Sequence, residues 1–218
     1  MGRFIEIPSR LLAEMAGSSD RIPRLYYADN YVLRRMFWQR LHRLNRLMNR
    51  TLESRGSCLD FGGGSGVLLP TLAGTFGEVT LVDLEARQAE RVKERYGLNN
   101  VSVVEADVGS LDFRTRPFDA AVAADVLEHF PDLEVPLGCL RDWIKPRGLL
   151  FTSLPTENWV YVVLRRVFGV EKPKDHFHTG YEVEARLRRS GFQQVATSCV
   201  PLHVPIAPLF LITAWRRE

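Results

Sequence analysis

From residue 57 onward, apolar strand-like runs alternate regularly with helix-like segments, and few architectures accommodate such a rhythm. Strands are predicted at 57–61, 78–83, 101–107, 117–125 and 149–155. Helices are predicted at 67–75, 84–97, 132–145 and 181–192. The alternation favours βαβ units, in which helices cover both faces of a mostly parallel sheet.

Two further β-rich runs close the chain, at 193–202 and 209–217, with no helix between them. Strands that are joined without a crossover helix pair antiparallel. The predicted fold class is therefore α/β, with a seven-stranded, mostly parallel sheet and an antiparallel C-terminal strand.

Residues 1–56 and residues 156–180 fall outside the alternation. In open α/β sheets, ligands bind beyond the carboxyl ends of the strands, so insertions that close over this edge would cover the ligand. We expect residues 1–56 to form a helical lid that covers the substrate, and residues 57–218 to form the main domain. Residues 156–180 are a candidate second lid.

Positive charge is concentrated near the N-terminus, where residues 1–57 contain 11 arginines and only five acids. Most of the excess lies between Arg34 and Arg50, where apolar residues recur at helical spacing. One interpretation is an amphipathic helix whose arginine face is solvated. The alternative is a surface for an anionic lipid, a nucleic acid or an acidic substrate.

The composition excludes several classes of protein. Apolar residues make up 45% of the chain and charged residues 25%, as in ordinary globular proteins. The three cysteines form neither a disulfide framework nor a zinc motif. No apolar run reaches the ~18–20 residues of a membrane-spanning helix, and the first residues lack the features of a signal peptide. We therefore expect a cytoplasmic protein.

The densest motif directly follows the first predicted strand and consists of Asp60, Phe61, Gly62, Gly63, Gly64, Ser65 and Gly66. Glycines between a strand and a helix allow a tight turn and a close approach of the backbone to a ligand. A triphosphate-binding loop would end in Gly-Lys-Ser/Thr, and a dinucleotide fingerprint would need glycine at position 67. Val67 stands there, so both are disfavoured. A simple turn is the alternative.

Acids end four successive predicted strands, at Asp60, Asp83, Asp107 and Asp125. Because parallel strands share a carboxyl edge, these side chains are expected on one rim. Asp83 is placed to accept hydrogen bonds from both hydroxyls of a ribose, and Asp107 is placed to accept one from an exocyclic amine. Each acid alone would more often be a helix N-cap, but together with the glycine loop they favour an adenosine ligand that carries cationic groups.

These residues resemble the class I S-adenosylmethionine-dependent methyltransferases, in particular the small-molecule "type 11" group that includes ubiquinone and menaquinone methyltransferases. The resemblance covers residues 57–155 and, more loosely, 176–192. It rests on the glycine motif, the acid that ends strand two, the Leu-Glu-His triplet at 127–129 and the Pro-x-Gly turn at 146–148. It implies a Rossmann-like fold and S-adenosylmethionine as the cofactor.

The same resemblance implies cofactor contacts at Asp60, Phe61, Gly62, Gly63, Gly64, Gly66, Asp83, Leu84, Asp107, Val108 and Asp125. The glycines are expected beside the methionine part of the cofactor, where Asp60 would organise the loop and hold the amino group. Asp83 would bind the ribose, and Asp107 would bind the adenine amine. Residues 124–126 would line the site beside the methionine part and the methyl group of the cofactor.

Methyl transfer to a hydroxyl or to an acidic carbon needs a base, and histidine suits this role near neutral pH. His129 follows strand four, whereas His176 and His178 precede the last helix, and these three compete for the role. Alternatively, they are supporting residues that fix their loops. No metal site is predicted, because the His-x-His pair lacks a clear third ligand. His42 and His203 are expected to be structural.

The segment after strand four lacks the Asn/Asp-Pro-Pro-Tyr run of amino-methylating DNA and RNA enzymes. The predicted acceptor is therefore a small molecule rather than nucleic acid. Aromatic residues in both lid candidates indicate either an apolar or aromatic acceptor or simple lid packing, and residues 158–169 would suit an interfacial membrane helix. The predicted reaction is methyl transfer, most readily to oxygen, with carbon and nitrogen open. The alternatives are an NAD-type oxidoreductase and a non-catalytic member that binds the cofactor.

Overall fold

The protein is described from a computed structural model that covers residues 2–16, 22–167, 176–201 and 207–218. Within these ranges, seven strands form one sheet in the order β3-β2-β1-β4-β5-β7-β6. They are β1 Ser57–Phe61, β2 Glu78–Asp83, β3 Val101–Glu105, β4 Phe118–Ala124, β5 Ile144–Pro155, β6 Phe192–Val200 and β7 Phe210–Arg217. Only β7 runs antiparallel to its neighbours, β5 and β6. The predicted fold class is confirmed.

Helices cover both faces of the sheet. They are α1 Ser9–Ala16, α2 Tyr31–Thr51, α3 Leu69–Ala73, α4 Arg87–Tyr96, α5 Glu134–Trp143, α6 Trp159–Val167 and α7 Gly180–Arg189. Successive strand residues point to opposite faces, so Cys58 and Leu59 of β1 belong to two different hydrophobic clusters. The sheet is therefore buried on both sides, and its free carboxyl edge is left for a ligand.

Strand β5 begins five residues before the predicted position, so the prediction that Pro146 to Gly148 ends a helix is wrong. The preceding helix stops at Trp143, and Ile144 already pairs with Phe118 of β4. Proline disfavours a helical residue before it and is tolerated in strands at irregular positions. The pairing between β4 and β5 is indeed irregular here, and Arg147 has a φ of 64°.

Helix α4 begins at Arg87, three residues after the predicted start. The intervening residues form a turn in which the Glu85 amide donates to Asp83 Oδ1 at 3.0 Å. Aspartate commonly stabilises such turns through its own side chain. The acid at the end of β2 therefore delays the helix and keeps its carboxylate at the edge of the sheet.

Helix α2 packs across β5, β6 and β7. Its Trp38, Leu41 and Leu44 side chains are buried. The interpretation that its arginine face is solvated holds for Arg46, which is exposed, but not for Arg40, which is only 2% exposed. The helix thus belongs to the body of the protein and carries a buried cation into it.

Several predictions involve residues that the structure does not describe. His203 lies outside the described residues, and so do residues 168–175 of the candidate second lid. Among the helices that are described, none is both long and apolar enough to cross a membrane. The division into residues 1–56 and residues 57–218 stays a prediction.

Candidate active site

A cavity of ≈ 760 Å³ opens at the carboxyl ends of β1 to β4. This volume lies within the ~300–1,000 Å³ of typical small-molecule sites. Its lining includes the predicted residues Asp60, Phe61, Gly62, Gly63, Gly64, Asp83, Leu84, Asp107, Val108 and Asp125. The four acids therefore share one rim, as the sequence predicted.

The glycine loop needs glycine for two distinct reasons. Gly62, Gly64 and Gly66 have φ values of 66°, 52° and 74°, which disfavour any other residue. A Cβ atom on Gly66 would lie 2.9 Å from the Cα of Ala89, so this residue lets the loop approach α4 and does not line the cavity. Among the described residues, a Cβ on Gly64 would meet only Asp83 Oδ2, at 3.9 Å, so the backbone there is open to a ligand.

Asp83 and Asp107 both fix the backbone around the cavity. Asp83 Oδ2 accepts a hydrogen bond from the Gly64 amide at 2.8 Å, which links β2 to the glycine loop. Asp107 Oδ1 accepts from the Gly109 amide at 2.8 Å and caps a short 3-10 helix, Val108–Ser110. A carboxylate has about four lone-pair sites, so each acid can also accept from a ligand.

Asp60 is the most unusual of these acids. It is 1% exposed, and its Oδ2 atom has no hydrogen-bond partner among the described residues. Burial, and next the charge of Asp83, raise the pKa of Asp60 to about 7. A buried carboxylate oxygen without a donor is unfavourable. A cationic ligand group in the cavity would relieve that cost.

Asp125 faces a buried partner that the sequence analysis did not identify. Its Oδ2 atom lies 2.6 Å from Nη2 of Arg40, and its Oδ1 atom accepts from the Ser153 hydroxyl at 3.1 Å. Both terminal nitrogens of Arg40 also donate to the Tyr26 hydroxyl, at 3.1 and 2.9 Å. Arg40 lies between the apolar positions Met36 and Leu44 on one helix face, a signal that could have revealed it.

Two of the three predicted histidines come together. The rings of His129 and His176 lie 4.7 Å apart, edge to face, and both line the cavity. His178 does not line it, and its Nε2 atom lies 3.3 Å from the Pro131 carbonyl oxygen. The structure therefore brings His129 and His176 to the site, whereas the catalytic role of all three stays a prediction.

Glu128 is a further site residue that sequence reasoning missed, although it stands inside the Leu-Glu-His triplet. It is fully buried, and neither of its carboxylate oxygens has a hydrogen-bond partner among the described residues. Burial, and next the charge of Asp125, raise the pKa of Glu128 well above its ordinary value. Its backbone carbonyl accepts from the amides of Phe177 and His178 at 2.9 and 3.4 Å, which holds the 176–178 segment against the site.

The comparisons with known proteins agree with this geometry. A family model described as "Methyltransferase domain" matches residues 32–197. A ubiquinone biosynthesis O-methyltransferase from Xylella fastidiosa is 29% identical over 163 residues, which are 68% of this chain and 65% of that protein. A 2-phytyl-1,4-naphtoquinone methyltransferase from Nostoc is 38% identical over 99 residues, or 42% of this chain and 43% of that protein. The chain thus spans less than two thirds of these relatives.

Solved structures share the fold. The N-methyltransferase NodS from Bradyrhizobium japonicum, in complex with S-adenosylhomocysteine, has a TM-score of 0.67 at 20% identity, with 96% of this chain and 98% of that chain covered. Magnesium protoporphyrin IX methyltransferase from Synechocystis, also with bound S-adenosylhomocysteine, has a TM-score of 0.69 at 18% identity, with 97% and 100% covered. At these identities, the likeness concerns the fold.

Proposed function

Because this chain belongs to the methyltransferase domain family, we propose that it transfers a methyl group from S-adenosylmethionine to a small organic acceptor, at oxygen. One observation carries the proposal. The open glycine loop, the Asp83 carboxylate and the Asp60 carboxylate, whose Oδ2 atom has no hydrogen-bond partner among the described residues, all border a single cavity. An NAD-type oxidoreductase is disfavoured by the glycine spacing, and the relatives described above are methyltransferases.

The residues at the cavity fit the cofactor. Asp83 would accept hydrogen bonds from the ribose hydroxyls, and Asp107 would accept one from the adenine amine. The adenine would lie between the side chains of Leu84 and Val108. Asp60 would receive the ammonium group beside the glycine loop, where its buried Oδ2 atom has no other described donor. When bound, the cofactor supplies an electrophilic methyl group on a positively charged sulfur, a charge that a rim of carboxylates stabilises.

The other side of the cavity would hold the acceptor. Tyr26, Phe37, Tyr161 and Phe210 line it, and they come from the N-terminal segment, α6 and β7. Aromatic walls suit an apolar or aromatic acceptor and exclude water from it. This arrangement supports the proposal that segments 1–56 and 156–180 cover the acceptor.

Oxygen is the proposed methylated atom for two reasons. The name of the Xylella relative specifies O-methylation. Moreover, His129 and His176 border the cavity and are suited to take the proton that a hydroxyl loses. The protein must also align the acceptor, since the attacking atom has to be held in line with the carbon–sulfur bond.

The test is a transfer assay with S-adenosylmethionine labelled in its methyl group. Phenols, catechols and hydroquinones serve as acceptors, with matched thiols and amines for comparison. We expect label in an O-methylated product, identified by mass spectrometry, and no transfer by Asp83→Ala. Transfer only to amines or thiols would contradict oxygen as the methylated atom, and transfer to no member of the panel would contradict the proposed acceptor class.

Helix α6 is proposed to contact a membrane surface peripherally. Trp159 is 74% exposed and Val163 is 47% exposed, and the two lie four residues apart, on one face of α6. Tryptophan and aliphatic residues on one helix favour an interfacial position. Co-sedimentation with anionic vesicles tests this proposal. Wild type should bind and the double variant Trp159→Ser/Val163→Ser should bind less, whereas no binding by wild type would contradict the contact.

A further inference from the structure

We propose that the Tyr26 hydroxyl, held by Arg40, determines which acceptors the cavity binds. It would donate a hydrogen bond to a second oxygen on the acceptor, such as a methoxy or carbonyl oxygen, separate from the hydroxyl that is methylated. The effect on methyl transfer rests on the function proposed above, whereas the binding preference rests only on the side chains of this chain.

The Tyr26 hydroxyl has both of its acceptor sites occupied by one guanidinium. Nη1 and Nη2 of Arg40 donate to it at 3.1 and 2.9 Å. A hydroxyl has two lone pairs and one hydrogen, so this oxygen can donate a further bond but has no lone pair left to accept one. Within the described parts of the chain, no group accepts its hydrogen. The hydrogen is therefore left for a bound ligand.

This hydroxyl lies at the wall of the cavity. Tyr26 lines the cavity, and so do Arg40 and Asp125, with which it forms one polar cluster. Tyr26 is only 4% exposed, and a buried donor without an acceptor is unfavourable. An oxygen of the bound acceptor would satisfy the donor, whereas a methylene group in the same place would leave it unpaired.

Tyr26 is suited to donate its proton in a hydrogen bond and not to act as a base. Burial raises the pKa of the phenol well above its ordinary value, Arg40 opposes this, and the charges of Asp125 and Asp60 add to it. The hydroxyl therefore keeps its proton at neutral pH. Because its oxygen accepts two bonds from a cation, its own O–H bond is polarised and becomes a stronger donor.

Contacts with helix α2 hold the Tyr26 side chain in place. The Trp38 indole nitrogen donates to the Tyr26 carbonyl at 3.1 Å, and the Tyr26 ring centre lies 4.7 Å from those of Phe37 and Trp38. Arg40 is in turn fixed by Asp125, at 2.6 Å. A donor that is fixed by its neighbours selects a ligand atom by its position as well as by its chemistry.

The donor belongs to the aromatic side of the cavity. The guanidinium carbon of Arg40 lies 3.8 Å from the centre of the Phe37 ring and 5.6 Å from that of Phe210, and both rings line the cavity. An aromatic acceptor packed beside these rings would place a substituent within reach of Tyr26. Sites that form a hydrogen bond with one substrate atom discriminate against analogues that lack it. We therefore expect an oxygen-substituted ring to be preferred over a carbon-substituted one.

The test compares 2-methoxyphenol with 2-ethylphenol, in which one methylene group replaces one oxygen, and likewise the 3- and 4-substituted pairs. The readout is the ratio of kcat/KM for the methoxy compound to that for the ethyl compound, with S-adenosylmethionine as the methyl donor. For at least one pair, this ratio should fall about 10-fold in Tyr26→Phe. A loss of folded protein or of cofactor affinity changes both members of a pair equally, so it leaves the ratio unchanged.

The matched control is Tyr31→Phe. The Tyr31 hydroxyl also accepts from an arginine of α2, Arg35, at 2.9 Å, but Tyr31 is 59% exposed and does not line the cavity. This variant should keep the wild-type ratio. The proposal is overturned if Tyr26→Phe, folded by circular dichroism, keeps the wild-type ratio for all three pairs.

Arg40→Lys tests the positioning role of the guanidinium. Lysine keeps a positive charge beside Asp125 but cannot hold the Tyr26 hydroxyl with two nitrogens. The ratio for the pair that responds to Tyr26→Phe should therefore fall by several-fold in Arg40→Lys, whereas Arg35→Lys should keep it. An unchanged ratio in Arg40→Lys would contradict the positioning role of Arg40.

Failure of this proposal and failure of the proposed function are distinguishable. Affinities for the same pairs are measured by calorimetry with saturating S-adenosylhomocysteine, which requires no methyl transfer. If no phenol is methylated but Tyr26→Phe lowers the affinity ratio, the donor stands and methyl transfer to oxygen is wrong. If phenols are methylated and Tyr26→Phe changes neither ratio, the function stands and the donor is wrong. If no phenol binds or reacts, both proposals are wrong.

Discussion

Arg40 Nη2 lies 2.6 Å from Asp125 Oδ2, and this ion pair ties the N-terminal helix α2 to the residue that follows β4. The guanidinium is 2% exposed, and its carbon lies 3.8 Å from the centre of the Phe37 ring. Asp125 itself has a φ of 53°, so the pair holds a strained residue beside the cavity. The N-terminal segment is thereby coupled to the site electrostatically as well as by packing.

Replacement of Arg40 by alanine should destabilise the fold by about 2–3 kcal/mol. This is less than the ~3–5 kcal/mol for breaking a fully buried pair, because the Asp125 side chain is 22% exposed. Urea denaturation checks the value. Arg46→Ala, an exposed arginine on the same helix, should change stability by less than ~0.5 kcal/mol. Equal effects of the two variants would contradict the importance of the ion pair.

Replacement of Asp83 by alanine should weaken S-adenosylhomocysteine binding by at least about 100-fold. The buried ribose hydroxyls would lose a charged acceptor, and each such hydrogen bond contributes ~1.5–3 kcal/mol. Calorimetry measures the affinity, with Asp112→Ala as the control, since Asp112 is exposed and pairs with Arg114. Unchanged affinity in Asp83→Ala would show that the ribose assignment is wrong.

Asp60→Asn should become more stable relative to wild type as pH rises. The pKa of Asp60 in the folded protein is about 7, above the ordinary ~3.9. Between these values the folded state binds more protons than the unfolded state, so the stability of wild type falls with rising pH. Asparagine does not ionise, so the variant does not lose stability in this way. Between pH 5 and pH 8 its free energy of unfolding should therefore rise by roughly 2–3 kcal/mol relative to that of wild type.

Urea melts of both proteins without ligand, at pH 5 and at pH 8, measure this difference. Unfolding of the Asp112→Asn variant serves as the comparison for an exposed aspartate. A difference between Asp60→Asn and wild type that stays constant with pH would show that Asp60 does not titrate abnormally.

Gly64→Ala should abolish tight S-adenosylhomocysteine binding while the protein remains folded. Gly64 and Gly97 have similar φ values, 52° and 60°, so alanine costs about 1–2 kcal/mol of backbone strain at either position. Neither Cβ would clash with any part of the chain that the structure describes. Only Gly64 faces the cavity, so Gly97→Ala should lose similar stability and keep its affinity. Equal affinities in the two variants would contradict ligand contact at Gly64.

The positions of the strands along the chain and the acidic rim were predictable because they follow from local patterns. Each strand carries its own apolar run, and Asp83 and Asp107 are placed by the strand that precedes them. The glycine spacing likewise determines only the conformation of the local turn that follows β1. These features need no knowledge of which distant segments pack together, and the structure places them at one edge as expected.

The partners of these residues depend on long-range packing and were not predictable in the same way. Arg40 reaches Asp125 only because α2 crosses β5 to β7, and His176 reaches Glu157 through a connection that periodicity does not describe. The spacing of apolar residues did place Arg40 on the apolar face of its helix. Its burial as a charged residue could be recognised only once its partner, Asp125, was known. The long β5 strand was missed because Pro146 and Gly148 normally indicate a turn.

The most direct test of the account is a calorimetric titration of the wild-type chain with S-adenosylhomocysteine and, separately, with NAD. We predict saturable binding of one S-adenosylhomocysteine per chain and no heat of binding with NAD. Binding of NAD, or no binding of S-adenosylhomocysteine by folded protein, would contradict the claim that the glycine loop and the acidic rim form a site for a sulfur-containing adenosine cofactor.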